Sequence, residues 1–145
     1  ARLASEFLSR IAKAIYFHLN RDAHDFQGAT ATLVVANSRE VAIAWLGDSD
    51  AVLCQRAGDD LRAHRLTKAH RPDRSDERER IKMAGGVVRR QTRVMDDGNE
   101  YSYGPARVYM ADGSGGLALS RALGDLGFNG LVSSEAEVVS RQLDD

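Results

Sequence analysis

Apolar side chains recur at three- and four-residue spacing near the start of the chain. Leu3, Phe7, Leu8, Ile11, Ile15 and Leu19 fall on one stripe, with Arg10, Lys13 and Asn20 elsewhere around the wheel. That spacing predicts an amphipathic helix over 3–19. From Ala29 the pattern changes: 30–36 is a β-rich, mostly apolar run, 37–40 is polar and turn-like, and 41–46 is apolar again. These segments predict a hairpin of two well-buried strands. A second pair, 51–55 with 61–66, is expected around the turn Ala57-Gly58-Asp59-Asp60. Short strands at this spacing indicate antiparallel pairing. Arg71-Pro72-Asp73-Arg74-Ser75 reads as a helix start, with Asp73 or Ser75 as the cap. The helix should run over 76–84 with Ile81 and Met83 toward the core, stopped by Gly85-Gly86. Residues 87–109 read as short β-like pieces of an exposed flap, separated by Asp96-Asp97-Gly98-Asn99 and by Gly104-Pro105. A glycine-rich loop, 112–116, then leads into 117–125. No repeat or linker divides the chain, so a single domain of mixed α and antiparallel β is expected.

Composition narrows the function classes. The 145 residues are one domain or a piece of one; Ala1 and the terminal Asp144-Asp145 give the expectation that both ends are cut. Twenty basic and 21 acidic residues leave a net charge of −1, so no global positive field is available to hold nucleic acid. The hydrophobic fraction of 43% and charged fraction of 28% fit a folded chain. Cys54 has no cysteine to pair with, which argues for an intracellular protein rather than a disulfide-framed secreted one. No apolar run reaches the length of a membrane span, and a monomer is expected. Charge is unevenly spread: residues 62–93 hold 11 basic and 4 acidic side chains, residues 94–145 hold 3 and 9. Either this is a solvated helix with a salt-bridged surface, or the basic stretch meets a phosphorylated or acidic partner.

Two carboxylates stand out by context. Asp48 follows Gly47 at the end of an apolar strand, and Asp125 follows Gly124 at the end of an apolar segment. A carboxylate at a strand end is placed either to ligate a hard cation such as Mg²⁺ or Mn²⁺, or simply to accept turn amides. The loop after Asp48 lacks the pattern of an EF-hand, and Gly113-Ser114-Gly115-Gly116 lacks the Lys-Ser/Thr of a phosphate-cradling P-loop. His18, His24, His64 and His70 have no partner at metal-ligand spacing and read as structural or surface residues. Cys54, between Leu53 and Gln55 on a predicted strand, reads as a buried inert thiol. Asp50 is expected to face solvent. Arg121 has two readings, phosphate binding or a buried ion pair.

Taken in order, these segments resemble the metal-dependent Ser/Thr protein phosphatases (PPM, or type 2C). Gly28-Ala29-Thr30-Ala31 looks like the family's GSTA strand, and Leu46-Gly47-Asp48-Ser49-Asp50-Ala51 its GDSRA segment. Leu66-Thr67-Lys68-Ala69-His70-Arg71-Pro72 resembles LTxDHKP. Glu79-Arg80-Ile81 and Ala84-Gly85-Gly86-Val87 match ExxRI and AGGxV. Leu117-Ala118-Leu119-Ser120-Arg121-Ala122-Leu123-Gly124-Asp125 is similar to LAxSRALGD.

The resemblance implies an α+β fold, a four-layer αββα sandwich of two antiparallel sheets flanked by helices. Residues 1–145 would be the central portion of one catalytic domain, with terminal strands missing and a flap over about 88–116. It implies two Mg²⁺ or Mn²⁺ ions, with a third weaker one, activating water against phosphoserine or phosphothreonine of a phosphoprotein substrate. Asp125 matches the aspartate that ligates the metal pair, and Asp48 the one that acts through water or the third ion. Asp50 stands where the family has Arg, and Ala69 where it has Asp. The family's Asp-Gly-His strand, its phosphate-binding Arg and its C-terminal Asp-Gly-x-Trp-Asp and Asp-Asn motifs are not in this sequence. An inactive phosphatase-like binding module is the alternative reading.

Overall fold

A computed structural model of the chain describes residues 27–143 together with Arg10 and Ala14. The helix expected over 3–19, and with it His18, lies outside the described residues apart from Arg10 and Ala14, as does His24.

Residues 27–143 form four antiparallel sheets, one α-helix and a short 3-10 turn at Leu126–Phe128, the sheets as the strand patterns anticipate. The central sheet joins β2 (Ala31–Ala36) and β3 (Glu40–Leu46), and a later strand, Glu137–Gln142, pairs with the other side of β3. Strand β3 is covered on both faces. Val41, Ile43 and Trp45 pack with Ala51, Leu66 and Leu143 on one face. Ala42 and Ala44 pack with Leu33 and Val138 on the other. This explains its unbroken apolar run. β2 is less buried than its composition suggests, with Val34 and Val35 about half exposed. Next come β4 (Val52–Ala57) and β5 (Asp60–Arg65), joined by a tight turn in which Gly58 takes a positive φ. β4 alternates between half-buried and exposed positions, and Cys54 falls on the exposed set. The expectation of a buried thiol was wrong for that reason: a two-stranded ribbon covers only one face.

Helix α1 spans Ser75–Met83. Neither Asp73 nor Ser75 caps it. Arg74 occupies the cap position in an extended conformation and its side chain makes no capping hydrogen bond. The far end is as expected, closed by Gly86 N–H to Ile81 O and Gly85 N–H to Lys82 O, with Gly85 left-handed at φ +85°. Ile81 is fully buried, but Met83 is exposed, since residues two apart on a helix cannot share a face. The buried partner of Ile81 is Glu77, one turn earlier.

The flap is a continuous ribbon rather than short pieces. β6 (Val87–Val94) pairs with β7 (Glu100–Tyr109), turning at Asp97-Gly98. Gly104-Pro105 lies inside β7 at a register shift opposite Arg90, where a residue without an N–H costs the ladder nothing. β8 (Gly115–Leu117) pairs with β7. The root of this ribbon is the second core: Val88, Ala106 and Val108 pack with Ile81, Ala122, Phe128, Leu131 and Val132. Finally β9 (Leu123–Gly124) pairs with the short β1 (Gly28–Ala29), and β10 is the strand Glu137–Gln142 already placed beside β3.

Candidate functional site

Asp125 directly follows β9 and is held in the left-handed region, at φ 52° and ψ 37°. A non-glycine residue there costs backbone energy, least for Asn and Asp. Its N–H donates to Gln27 O at 2.8 Å, which fixes it against β1. The carboxylate lies directly over Gly28, where an added Cβ would overlap Oδ2. Only glycine fits beneath it. Asp125 is 6% exposed, and its carboxylate makes no hydrogen bond or ion pair among the described residues. Burial pushes its pKa up, because a desolvated carboxylate is harder to keep charged. A buried carboxylate with no donor around it has its oxygens free for a ligand.

The Asp48 loop is tied to the segment that follows β1. Gly47, at φ +97°, lies against Thr30, and a Cβ there would overlap the Thr30 methyl. Thr30 Oγ1 also bonds Ser49 Oγ at 2.7 Å, and Thr32 Oγ1 donates to Ser49 O. Residues 28–32 therefore touch Asp125 at one end and brace the Asp48 loop at the other. The Asp48 side chain is exposed and carries no bond among the described residues. Asp50 does not simply face solvent. It pairs with Arg65 at 3.3 Å and accepts from Thr67 Oγ1, while Thr67 accepts the Ala51 N–H.

Behind these loops lies a buried charge cluster whose centre, Glu77, the sequence reading did not single out. Glu77 is 1% exposed. Its Oε1 accepts from Arg121 Nη2 at 2.6 Å and Nε at 3.0 Å, and its Oε2 accepts from Arg80 at 2.9 Å. Burial acts to raise its pKa, but the hydrogen bonds from Arg121 and Arg80 outweigh that and hold it at about 2. Glu137, from β10, binds Arg74 and lies 3.3 Å from Arg121. Burial raises the Glu137 carboxyl as well, and its arginine partners together with His70 bring it below the usual range. Arg74 also pairs with Asp76 at 2.7 Å. One open reading is thereby decided, since Arg121 is in a buried ion pair; of the charge asymmetry along the chain, the Arg74–Glu137 pair joins the basic stretch to the acidic one. The glutamate of the ExxRI pattern is Glu77, three residues before Arg80, and not Glu79. Its signal was a carboxylate one helical turn before the buried Ile81.

His70 is fully buried and stacks on Trp45 with ring centroids 5.8 Å apart. Its pKa is lowered, first by burial and then by Arg121, so it is neutral, as a structural histidine should be. His64 stays on β5 away from any such cluster.

No group of three or more His, Cys, Asp or Glu side chains gathers in metal-ligand geometry among the described residues. Asp125 and Asp48 nevertheless suit a hard cation, being oxygen donors without competing partners among the described residues.

The sequence profile described as Protein phosphatase 2C matches residues 1–145. The chain belongs to the protein phosphatase 2C family. It is 43% identical over 122 residues to a probable protein phosphatase 2C 49 of Oryza sativa subsp. japonica, covering 83% of this chain and 24% of that protein. Mouse protein phosphatase 1F is 35% identical over 116 residues, covering 80% and 21%. The chain thus spans a quarter or less of the length of these curated relatives. A serine-threonine phosphatase 2C structure from Toxoplasma gondii superposes with a TM-score of 0.65 at 23% identity, covering 99% of this chain and 44% of that one. That likeness shows the fold. A C. elegans sex determining protein gives a TM-score of 0.58 at 29% identity over 81% of this chain and 24% of that one. The α+β, antiparallel expectation stands.

Proposed function

We propose that the protein carrying this sequence hydrolyses phosphoserine and phosphothreonine on proteins with the help of Mg²⁺ or Mn²⁺. The observation that carries the reading is Asp125: a buried carboxylate, unpartnered among the described residues and held over Gly28, in a phosphatase 2C chain. Asp125 and Asp48 would hold metal. When bound, the ions supply a water acidified enough to attack at neutral pH, and they neutralise charge on the phosphoryl oxygens. The chain's own part is placement. β1 and β9 hold Asp125 by main-chain bonds, so its oxygens are fixed before any ligand arrives. Asp48, exposed where Asp125 is buried, acts further from the reacting phosphorus. The flap ribbon carries Arg93, Met95, Tyr101 and Tyr103 around an open groove of about 580 Å³, a surface suited to contacts with a protein substrate.

The test is phosphopeptide hydrolysis by the natural protein. Turnover should need Mg²⁺ or Mn²⁺ and vanish in excess EDTA. Asp125→Ala should abolish it, and Asp48→Ala should lower it about 10- to 100-fold while shifting its metal dependence. Because Cys54 is exposed, Cys54→Ser is the matching control and should keep full turnover. Full activity in EDTA, or its loss in Cys54→Ser, would overturn the reading.

A further inference from the structure

Three of the bonds that fix the two aspartate loops converge on one residue. The His70 N–H donates to Gly47 O at 2.9 Å, and the His70 carbonyl accepts from Ser120 N–H at 3.0 Å. Gly47 precedes Asp48 directly. Ser120 opens the segment that runs through β9 to Asp125, and its own carbonyl is held by Arg80 Nη2 at 2.8 Å and by Ser133 N–H. The ring adds a third tie. Nδ1 lies 3.1 Å from Gly47 N and 3.2 Å from Gly47 O. Gly47 O already receives the His70 N–H, so the complementary arrangement is Gly47 N–H donating to Nδ1, which puts the ring proton on Nε2. Nε2 then faces Glu137 Oε1 at 3.4 Å, beyond a normal hydrogen bond. The ring cannot swing away, because Trp45 stacks on it and Trp45 Nε1 is itself tied to Lys68 O at 3.0 Å.

We propose that His70 is a positioning residue that sets the placement of the Asp48 loop relative to the Asp125 loop, its Nδ1 acting as acceptor for Gly47. This rests on the reading of those two aspartates as metal-holding groups. A glycine at φ +97° has the widest conformational choice of any residue, so the peptide before Asp48 needs an outside hold. Thr30 blocks one side of it and His70 takes the other. Residues that orient ligands in this way typically change metal affinity 10- to 100-fold when replaced.

Two substitutions separate positioning from mere packing. Asn can offer its Oδ1 where Nδ1 stands, whereas Gln reaches past Gly47 toward Glu137 and offers no acceptor there. In the natural protein, His70→Gln should weaken Mn²⁺ binding measured by calorimetry about 10- to 100-fold, and His70→Asn should keep it near the unsubstituted value. Without metal, the Gly47 amide should exchange with solvent faster in His70→Gln and stay protected in His70→Asn, both variants unfolding at comparable temperatures. Equal Mn²⁺ affinity and equal Gly47 protection in both variants would overturn the proposal. So would losses that simply track the fall in thermal midpoint. If the unsubstituted protein binds no Mn²⁺ and turns over no phosphopeptide, the functional reading fails instead, and Gly47 exchange still decides whether His70 holds the loop.

Discussion

Replacing Glu77 by alanine should be among the most damaging single changes available in the described core. The side chain is 1% exposed and receives three charged hydrogen bonds, two from Arg121 and one from Arg80, with Arg74 Nη2 a further 3.6 Å away. Truncation leaves Arg74 and Arg121 sharing Glu137, with Asp76 at the edge, and leaves Arg80 with backbone carbonyls alone among the described residues. Breaking a buried pair from one side typically costs about 3–5 kcal/mol, because the remaining charge stays desolvated. A separate route gives a similar size. A carboxyl held at about 2 rather than 4.5 favours its charged form by roughly 3 kcal/mol in the fold, at about 1.4 kcal/mol for each tenfold change. Glu77→Gln, which keeps the shape and loses the charge, should therefore cost roughly 3 kcal/mol, and Glu77→Ala as much or more. Against a total stability of about 5–15 kcal/mol either change is severe. Urea denaturation followed by tryptophan fluorescence reads it directly, since Trp45 stacks on His70 beside the cluster. In a double-mutant cycle with Arg121→Ala, the paired loss should fall short of the sum by about 0.5–3 kcal/mol. A Glu77→Ala cost below about 1 kcal/mol, in the range of an exposed pair, would refute the reasoning.

Acid should weaken the fold in two stages. His70 is depressed below 6.5 in the fold, so the unfolded chain takes up its proton first and stability falls as pH drops through about 6.5. Glu77 contributes fully above 4.5 and loses that contribution from 4.5 toward about 2, so urea midpoints should drop more steeply there, and Glu77→Gln should flatten that stage. Asp125→Asn removes a buried, unpartnered charge and places Asn, which tolerates left-handed backbone, at φ 52°. It should raise the metal-free melting temperature by an amount corresponding to about 0.5–2 kcal/mol while abolishing turnover, checked by calorimetry beside phosphopeptide kinetics. Gly28→Ala drives a methyl into Asp125 Oδ2 and should weaken Mn²⁺ binding, measured by titration calorimetry, more than it lowers the melting temperature.

The two hairpins and the helix stop were legible because each rests on local chemistry: runs of β-branched residues, a tight turn at Gly58, and the left-handed Gly85. What was not legible depends on contacts distant in sequence. Arg121 could not be assigned without Glu77, 44 residues away, and Glu137, 16 residues away. Cys54 was misplaced because alternation tells which residues share a face but not how well that face is covered, and Met83 because it lies two residues from Ile81 and so off the buried face of the helix. The flap ribbon was divided at Gly104-Pro105 because a bulge looks like a strand end in sequence. Asp48 and Asp125 came forward from their place after Gly at strand ends and from the resemblance. The structure adds what spacing could not, the glycine cradle under one and the brace through Thr30 on the other.

Glu77 and Asp125 are both carboxylates almost shut off from solvent, and their surroundings push them in opposite directions. Glu77 has every oxygen met by a guanidinium, and its charge is favoured; nothing else can bind there without displacing an arginine. Asp125 has its main chain fixed by Gln27 and β1 while its oxygens meet no donor among the described residues, and burial raises its pKa. A fold selected only for stability would give Asp125 a donor or replace it with Asn, since an unpaired buried charge is among the costliest groups to retain. Keeping it charged and unpaired makes sense if a cation takes the place of the missing donors. The arginine-rich cluster then has a second use: it secures Ser120 and, through His70, Gly47, so that the residues bearing the free carboxylates need no bonds from those carboxylates to stay in place.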